Sequence, residues 1–462
     1  MSTALKANLE DLYPLTPFQQ GMLFHVLEAP NAGVYMNQQR YTLRGDLDLT
    51  LFKEALQAVM NRHQILRTAF LLSSQDGPRQ VVFRRLKLPL TVHDWSELPH
   101  AEVSARLEAL LESDFQSGFD LKRAPLMRMI LVRTGPDLYE FIWSFHLLLM
   151  DGWSMQVILR ELLAFYHAIY FGQSAELGPP MPYSDFIKWL QRQPQDQAEA
   201  YWRKTLQGFT GPTPLGFDRM PLADVHETPS FKEKTVIFDE ERSTALRSFA
   251  AQHRLTLNTV IQGAWALLLS RRSGNNDVVF GSVVSGRSAD IPKINSAVGV
   301  FINALPARVL IPVNSEVIPW LRDLQKQQVE ARRFEFCSLV RIQGWSEVRN
   351  QPLFESALVF QNFPASTGLP EAAGVKVTGV YLLERNNLPL ALVVEPGPQF
   401  NFRLVYMSSR FDDATIDRIH ENLQRVLSEI TTPGAILSSI SHHVNPERKQ
   451  LIDSFNQSLA SL

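Results

Sequence analysis

The run 141–154, Phe-Ile-Trp-Ser-Phe-His-Leu-Leu-Leu-Met-Asp-Gly-Trp-Ser, constrains this chain more than any other stretch. Its first part is an apolar run of strand length that ends in one histidine, His146. Asp151-Gly152 is a turn and helix-start signal. Behind it, Ile158, Leu162, Phe165 and Ile169 fall on one helical face. Ser154 is the expected N-cap of that helix and Gly172 its stop. A buried strand that ends in a histidine and meets an Asp-Gly turn sets an acid/base group at an interface between lobes.

Helix and strand signals mix along the rest of the chain, which points to an α/β fold. Pro14 and Pro17 bracket a turn before a short helix over 18–26. A strand is expected at 34–43, an amphipathic helix at 51–62 and strand character again at 63–70. The spacing predicts a helix over 101–111 and strands over 126–132 and 138–145. A Pro/Gly-rich break at 177–182 and a loop-rich stretch at 208–229 flank a helical bridge over 183–206, the best site for a lobe boundary. The second half repeats the mixture. Strands are expected at 234–238, 277–284, 355–361, 388–395 and 402–407, with helices at 257–270 and 414–430.

Composition narrows the class of partner. Lys+Arg 45 against Asp+Glu 47 gives a net charge of −2, which does not favour nucleic acid or an anionic membrane. No apolar run is long enough to span a bilayer, and the first residues lack the apolar core of a signal peptide. A lone cysteine, Cys337, excludes an internal disulfide and a cysteine metal cluster and fits a reducing cytoplasm. Its neighbours, Phe334-Glu-Phe-Cys, read as packed core. No metal ligand set stands out.

Several separated segments, in order, resemble the condensation domains of nonribosomal peptide synthetases. Tyr13-Pro-Leu-Thr-Pro-Phe-Gln-Gln-Gly-Met-Leu-Phe-His looks like the first core motif, and Arg62-His-Gln-Ile-Leu-Arg-Thr-Ala-Phe the second. Phe145-His-Leu-Leu-Leu-Met-Asp-Gly-Trp-Ser stands where the family has HHxxxDG. Tyr183-Ser-Asp-Phe-Ile-Lys-Trp with Tyr201-Trp202 is similar to the inter-lobe bridge. Gly281-Ser-Val-Val-Ser-Gly-Arg, Val298-Gly-Val-Phe-Ile-Asn-Ala-Leu-Pro and Leu353-Phe-Glu-Ser-Ala-Leu-Val-Phe-Gln-Asn-Phe-Pro match later cores.

The resemblance implies an α/β fold of two chloramphenicol-acetyltransferase-like lobes, a V-shaped pseudo-dimer with a central tunnel. The lobes would span 1–177 and 178–445, with the bridge at 178–210. Residues 446–462 would begin a linker to a downstream adenylation domain in the same polypeptide. The implied activity is acyl transfer that forms an amide, in secondary metabolite (for example lipopeptide) biosynthesis. A donor acyl or peptidyl thioester would meet the amine of an aminoacyl carrier protein. The implied partners are donor and acceptor peptidyl carrier proteins whose 4'-phosphopantetheine arms enter the tunnel, or acyl-CoA as donor. No cofactor would be covalently bound, and the domain would act as a cytoplasmic monomer.

Carried over residue by residue, His146 is the motif's first histidine, an architectural residue, and Leu147 occupies the position of the catalytic one. Asp151 is the structural acid, Gly152 the tunnel glycine and Arg287 the partner of Asp151. Trp153, Ser154, Asn303 and Gln361 would line the tunnel. Taken without the resemblance, His146 reads as a satisfied core histidine, Asp151-Gly152 as a turn, and Arg62 and Arg67 as ordinary ion pairs within a lobe. His442-His443, the one adjacent histidine pair, precedes Val-Asn-Pro and reads as surface.

Leucine fills roughly an imidazole's volume but has no lone pair and no exchangeable proton. Leu147 is therefore expected to reduce or abolish turnover. Three explanations stand open: an engineered variant, a natural domain that now gates or docks carriers or a tailoring enzyme, and an active domain that relies on alignment. The first motif resembles starter or D-donor subtypes, and its closeness to Met1 fits a starter domain or a cut at the domain edge. A free-standing acyltransferase using CoA thioesters is a third class of function, against which the linker-like tail speaks. Epimerisation domains carry a glutamate within 281–287, absent here, and heterocyclisation domains carry paired aspartates in place of the histidine motif.

Overall fold

The computed structural model describes residues 8–28, 34–72, 75, 77–216, 231–362, 371–384 and 388–440. The first half contributes β1 (Leu9–Pro14), β2 (Met36–Arg44), β3 (Thr68–Leu71), β4 (Arg79–Phe83), β5 (Leu90–Asp94), β6 (Met127–Arg133) and β7 (Leu138–His146). The second half contributes β8 (Phe231–Ile237), β9 (Asp277–Val284), β10 (Asn303–Leu310), β11 (Ser356–Phe360), β12 (Lys376–Glu384), β13 (Leu390–Glu395) and β14 (Asn401–Met407). They form three sheets, ordered β1-β4-β3, β12-β2-β7-β6-β5 and β10-β9-β11-β13-β14-β8.

Strand β7 sits inside its sheet, antiparallel to β2 on one side and β6 on the other. Its apolar run is nearly continuous because both faces are covered. Phe141, Trp143 and Phe145 pack into the main core with Phe52, Leu56 and Val59 of the helix Leu49–Arg62 and with Ile158 and Leu162 of the helix Gly152–Tyr170. Ile142 faces the other way, against Leu107 of the helix His100–Gln116. Ser144, also on that face, donates to the buried Asp114 carboxylate of the same helix. In the second large sheet, Leu390, Leu392 and Val394 of β13 pack with the helices Leu257–Ser273 and Asp413–Ile430.

The two halves interlock. β12 falls within 178–445 of the chain but adds to the edge of the first sheet, antiparallel to β2. Val298, Val300 and Phe301 likewise belong to the first core. A single cut in sequence at 177/178 therefore does not separate the sheets and cores of the two halves.

Three local expectations change. Residues 63–70 are not one strand: a 3-10 turn, Gln64–Arg67, precedes β3. Arg67 fixes that turn by donating to the carbonyls of Met60 at 3.1 Å, Asn61 at 3.2 Å and Phe83, with Glu10 at 2.5 Å. The bridge over 183–206 is two helices, Tyr183–Gln191 and Gln195–Thr205, divided at Pro194, whose ring cannot donate to a preceding turn. The helix after β7 begins at Gly152, and its N-cap is Asp151 rather than Ser154: the carboxylate accepts from the Ser154 N–H. Gly172, at φ 64°, follows its end as expected.

Cys337 is buried beside Trp202 and Phe354 in a separate cluster where the bridge meets the second lobe, and burial pushes its thiol up to about 12. Among the described residues no helix is long and apolar enough to cross a membrane. His442-His443 and the span 446–462 lie outside the described residues.

Candidate functional site

The segment that leaves β7 turns at once. The Leu149 N–H donates to the His146 carbonyl at 2.9 Å, and the Leu147 N–H to the Tyr35 carbonyl at 2.8 Å. Leu148, Leu149 and Met150 are fully buried in the first core. Leu147 is only partly buried, because its side chain lines a cavity of about 700 Å³. Gln19, buried in the helix Pro17–Glu28, holds the same turn by donating to the Leu148 carbonyl at 2.7 Å. Sequence reasoning does not single out Gln19. Its place in the Pro-Leu-Thr-Pro-Phe-Gln-Gln motif is the available signal.

His146 points away from that cavity into the core. Its Nδ1 accepts the Leu148 N–H at 3.1 Å, which leaves the proton of the neutral ring on Nε2. Burial pushes its pKa down to about 3, so the ring stays neutral at pH 7 and does not take up a proton readily.

Asp151 is fully buried and surrounded by donors. One oxygen accepts the Ser154 N–H at 2.9 Å and an Arg287 N–H at 3.1 Å, and the Ser154 hydroxyl lies 2.7 Å from it. The other accepts the Phe301 N–H at 3.0 Å. Arg287 also donates to the carbonyls of Ile294 at 2.6 Å and Ala297 at 3.0 Å and to Ser154 Oγ at 3.0 Å. Its guanidinium lies 4.2 Å from the centre of the Phe301 ring and 5.6 Å from that of Trp153. A buried carboxylate in apolar surroundings needs such a counter-charge and such donors. The result is a clamp between the lobes.

Two glycines let the backbones approach at this clamp. Gly299 accepts the Asp151 N–H at 3.1 Å, and a side chain there would meet the Tyr183 ring at 2.3 Å. Gly286, at φ 63°, lies where a Cβ would come within 1.8 Å of the Phe301 carbonyl oxygen. Tyr183 of the bridge closes the arrangement by donating to the Val300 carbonyl at 2.6 Å.

The cavity draws on both halves. Tyr35, Asn37, Leu147, Gly152 and Trp153 come from the first, and Gln361 is among those from the second. Trp153 is anchored by its indole N–H on the Asn295 carbonyl at 2.8 Å. The structure therefore brings Leu147, Gly152, Trp153 and Gln361 together on one cavity. It does not bring Ser154 or Asn303 there. Ser154 is spent on Asp151, Gly299 and Arg287. The Asn303 amide donates to the carbonyls of Glu335 at 2.7 Å and Cys337 at 2.6 Å, beside a small separate pocket. Both are buried polar groups satisfied within the protein, Ser154 by side chains and backbone and Asn303 by backbone, a role that sequence does not distinguish from wall contact. Arg62 and Arg67 pair with Glu161 and Glu10 within the first lobe, and neither lines the cavity.

Among the described residues no cluster of His, Cys, Asp and Glu is arranged to hold a metal ion. The cavity is walled by residues of both halves, and the motif offers it no proton acceptor at position 147.

Comparison with known proteins gives the wider setting. The family model described as "Condensation domain" matches residues 9–452. Bacitracin synthase 3 of Bacillus licheniformis is 33% identical over 458 residues, which cover 98% of this chain and 7% of that protein. The linear gramicidin synthase of Brevibacillus parabrevis holds a stretch 40% identical over 452 residues, 97% of this chain and 9% of the matched polypeptide. The chain thus spans less than a tenth of the length of either relative. Among solved structures, the complex of the X-domain and OxyB from teicoplanin biosynthesis superposes with a TM-score of 0.77 at 22% identity, over 94% of this chain and 96% of that one. The starter condensation domain of rhizomide synthetase, in complex with C8-CoA, gives 0.78 at 19% identity, over 95% and 98%. At these identities the two structures speak for the fold alone, and that fold is the mixed α/β architecture expected from the sequence.

Proposed function

The chain belongs to the condensation-domain family of nonribosomal peptide synthetases, and we propose that it joins a donor acyl or peptidyl thioester to the amine of an aminoacyl carrier protein, forming an amide. The donor arrives on a carrier's phosphopantetheine arm, or as acyl-CoA if the domain is a starter type. Lobes at 1–177 and 178–445, with β12 exchanged, would present opposite mouths of the cavity to the two carriers. Residues 446–462 would lead to an adenylation domain.

One observation supports this reading best. Leu147, Gly152 and Trp153 line a cavity between the halves while His146 and Asp151 are withdrawn into the scaffold. That division of labour suits a reaction that needs alignment of amine and thioester, worth several kcal/mol of barrier, and proton removal from the nitrogen. His146, Asp151 and Arg287 hold the walls. Leu147 faces the reactants with no acid/base group, so the chain works well below the rate a histidine at this position would allow.

Leu147→His is expected to raise amide formation at least tenfold with a matched donor and aminoacyl carrier, read by mass spectrometry. Equal product from both proteins would sink the idea that this position limits the rate. A second reading is a docking or gating domain that binds loaded carriers or a tailoring enzyme. The apolar side chain at 147 favours it, and the X-domain structure was solved in complex with OxyB. No product from either protein, with carrier binding intact, would select it.

A further inference from the structure

One carboxylate lines the cavity that the family resemblance did not point to. Glu335 lies just beyond the helix Val317–Arg332 and is 6% exposed. It borders both the large cavity and the small pocket walled by Phe186, Trp189 and Phe336. Its carboxylate accepts from the Ser288 hydroxyl, and its backbone carbonyl is held by Asn303. Ser288 follows Arg287 directly, so the clamp on Asp151 also fixes the hydroxyl that orients Glu335. Burial pushes the Glu335 pKa up, against the pull of Ser288 and of the Arg332 charge.

The rest of the wall is informative by its chemistry. Among the described residues that line the cavity there is no histidine, lysine, cysteine or second carboxylate. The guanidinium groups of Arg308 and Arg332 are donors only and offer no acceptor. Burial pushes Tyr35 and Tyr201 up, away from neutral pH. A side chain that exchanges a proton with a reactant must lie within reach of it, and among the described residues of this wall Glu335 is the one carboxylate.

Resting on the proposed amide-forming activity, we propose that Glu335 takes the proton from the attacking amine, the task for which position 147 holds no group. The amine nitrogen forms a bond to the thioester carbonyl carbon, and its proton passes to the Glu335 carboxylate. Collapse of the tetrahedral adduct breaks the C–S bond. The proton then moves to the departing thiolate, which leaves as the donor's thiol and restores the carboxylate. No other reactant is needed.

The test is single-turnover amide formation with loaded donor and aminoacyl carriers across pH. Glu335→Gln keeps an acceptor for Ser288 but cannot take a proton. It is expected to lower the rate at least tenfold at unchanged melting temperature and to erase the acid limb of the parent's pH profile. Glu335→Asp should recover part of the rate. Equal rates for the parent and Glu335→Gln overturn the inference and leave the proposed function standing. So does a parent that makes no amide while Leu147→His does. No amide from either protein overturns the proposed function itself. Should Glu335→Gln not fold, the Glu335→Asp profile decides: a displaced acid limb supports the role and an unmoved one refutes it.

Discussion

Replacing Asp151 by asparagine tests the clamp between the lobes most directly. The carboxylate is met only by donors: the Ser154 N–H and hydroxyl and Arg287 on one oxygen, and the Phe301 N–H on the other. Asparagine has one carbonyl oxygen. Its amide NH2 must face either Phe301 N–H or the Ser154 and Arg287 side, donor against donor. Arg287 meanwhile keeps only neutral partners, the carbonyls of Ile294 and Ala297 and the hydroxyl of Ser154. Stranding one member of a buried pair costs about 3–5 kcal/mol. Arg287→Met should cost somewhat less, about 2–4 kcal/mol, because Asp151 keeps its three other donors. The double variant strands neither charge, so the two losses should fall short of their sum by about 2–3 kcal/mol. Urea unfolding followed by the fluorescence of the eight tryptophans measures all three proteins. Losses that add to within about 0.5 kcal/mol would mean that the charges are not coupled and would refute the reasoning.

Two further outcomes follow from the same region. His146 has a folded pKa of about 3 against an unfolded value near 6.5, so below about pH 6.5 the unfolded chain binds a proton that the folded one refuses. Its contribution is complete above that pH and is lost as pH falls toward 3, by up to about 1.4 kcal/mol per unit. His146→Asn, which still accepts from the Leu148 N–H, should flatten the stability curve between pH 6 and 4 by roughly that slope; an unchanged slope in urea titrations would count against a neutral buried ring. Gly299→Ala should destabilise by about 3 kcal/mol or more, since a Cβ there meets the Tyr183 ring. Gly21→Ala, mid-helix with open space around it, should stabilise by about 0.5–1 kcal/mol; similar melting shifts for the two would contradict the close approach at Gly299.

Much of this fold is legible in sequence where packing imposes a period. β7 and the helix Gly152–Tyr170 are clear because both lie in the core, and burial writes itself as an apolar run or a helical stripe. β12 is illegible for the opposite reason. It is an edge strand with Val380 and Tyr381 exposed, and its pairing partner lies far away along the chain, at β2. The candidate site divides in the same way. Asp151, Gly152 and Leu147 come from one short segment with a motif order, and Arg287 as the partner of Asp151 comes from the family resemblance, the buried carboxylate requiring only that some partner exist. Ser154 and Asn303 are expected in the tunnel wall by carry-over from the family motifs, and sequence does not tell a polar residue that faces a cavity from one that satisfies buried groups beside it. Glu335 escapes a sequence reading because Phe334-Glu-Phe-Cys reads as core, and only its three-dimensional position shows that this charged residue faces a cavity.

The histidine motif thus contains two functions that separate physically. His146 and Asp151 serve the scaffold: one is a neutral ring that accepts a backbone N–H, the other a carboxylate that joins the helix start to the opposite lobe. Position 147 serves the cavity. Its backbone is fixed by the Tyr35 carbonyl whatever its side chain, and the three residues after it fill the core. A leucine there is compatible with the fold, and on the proposed function any cost would fall on the reaction. The persistence of the other motif residues therefore reports that the lobes are held together, not that a proton acceptor is present. A proton acceptor must be sought in the cavity wall, where Glu335 stands.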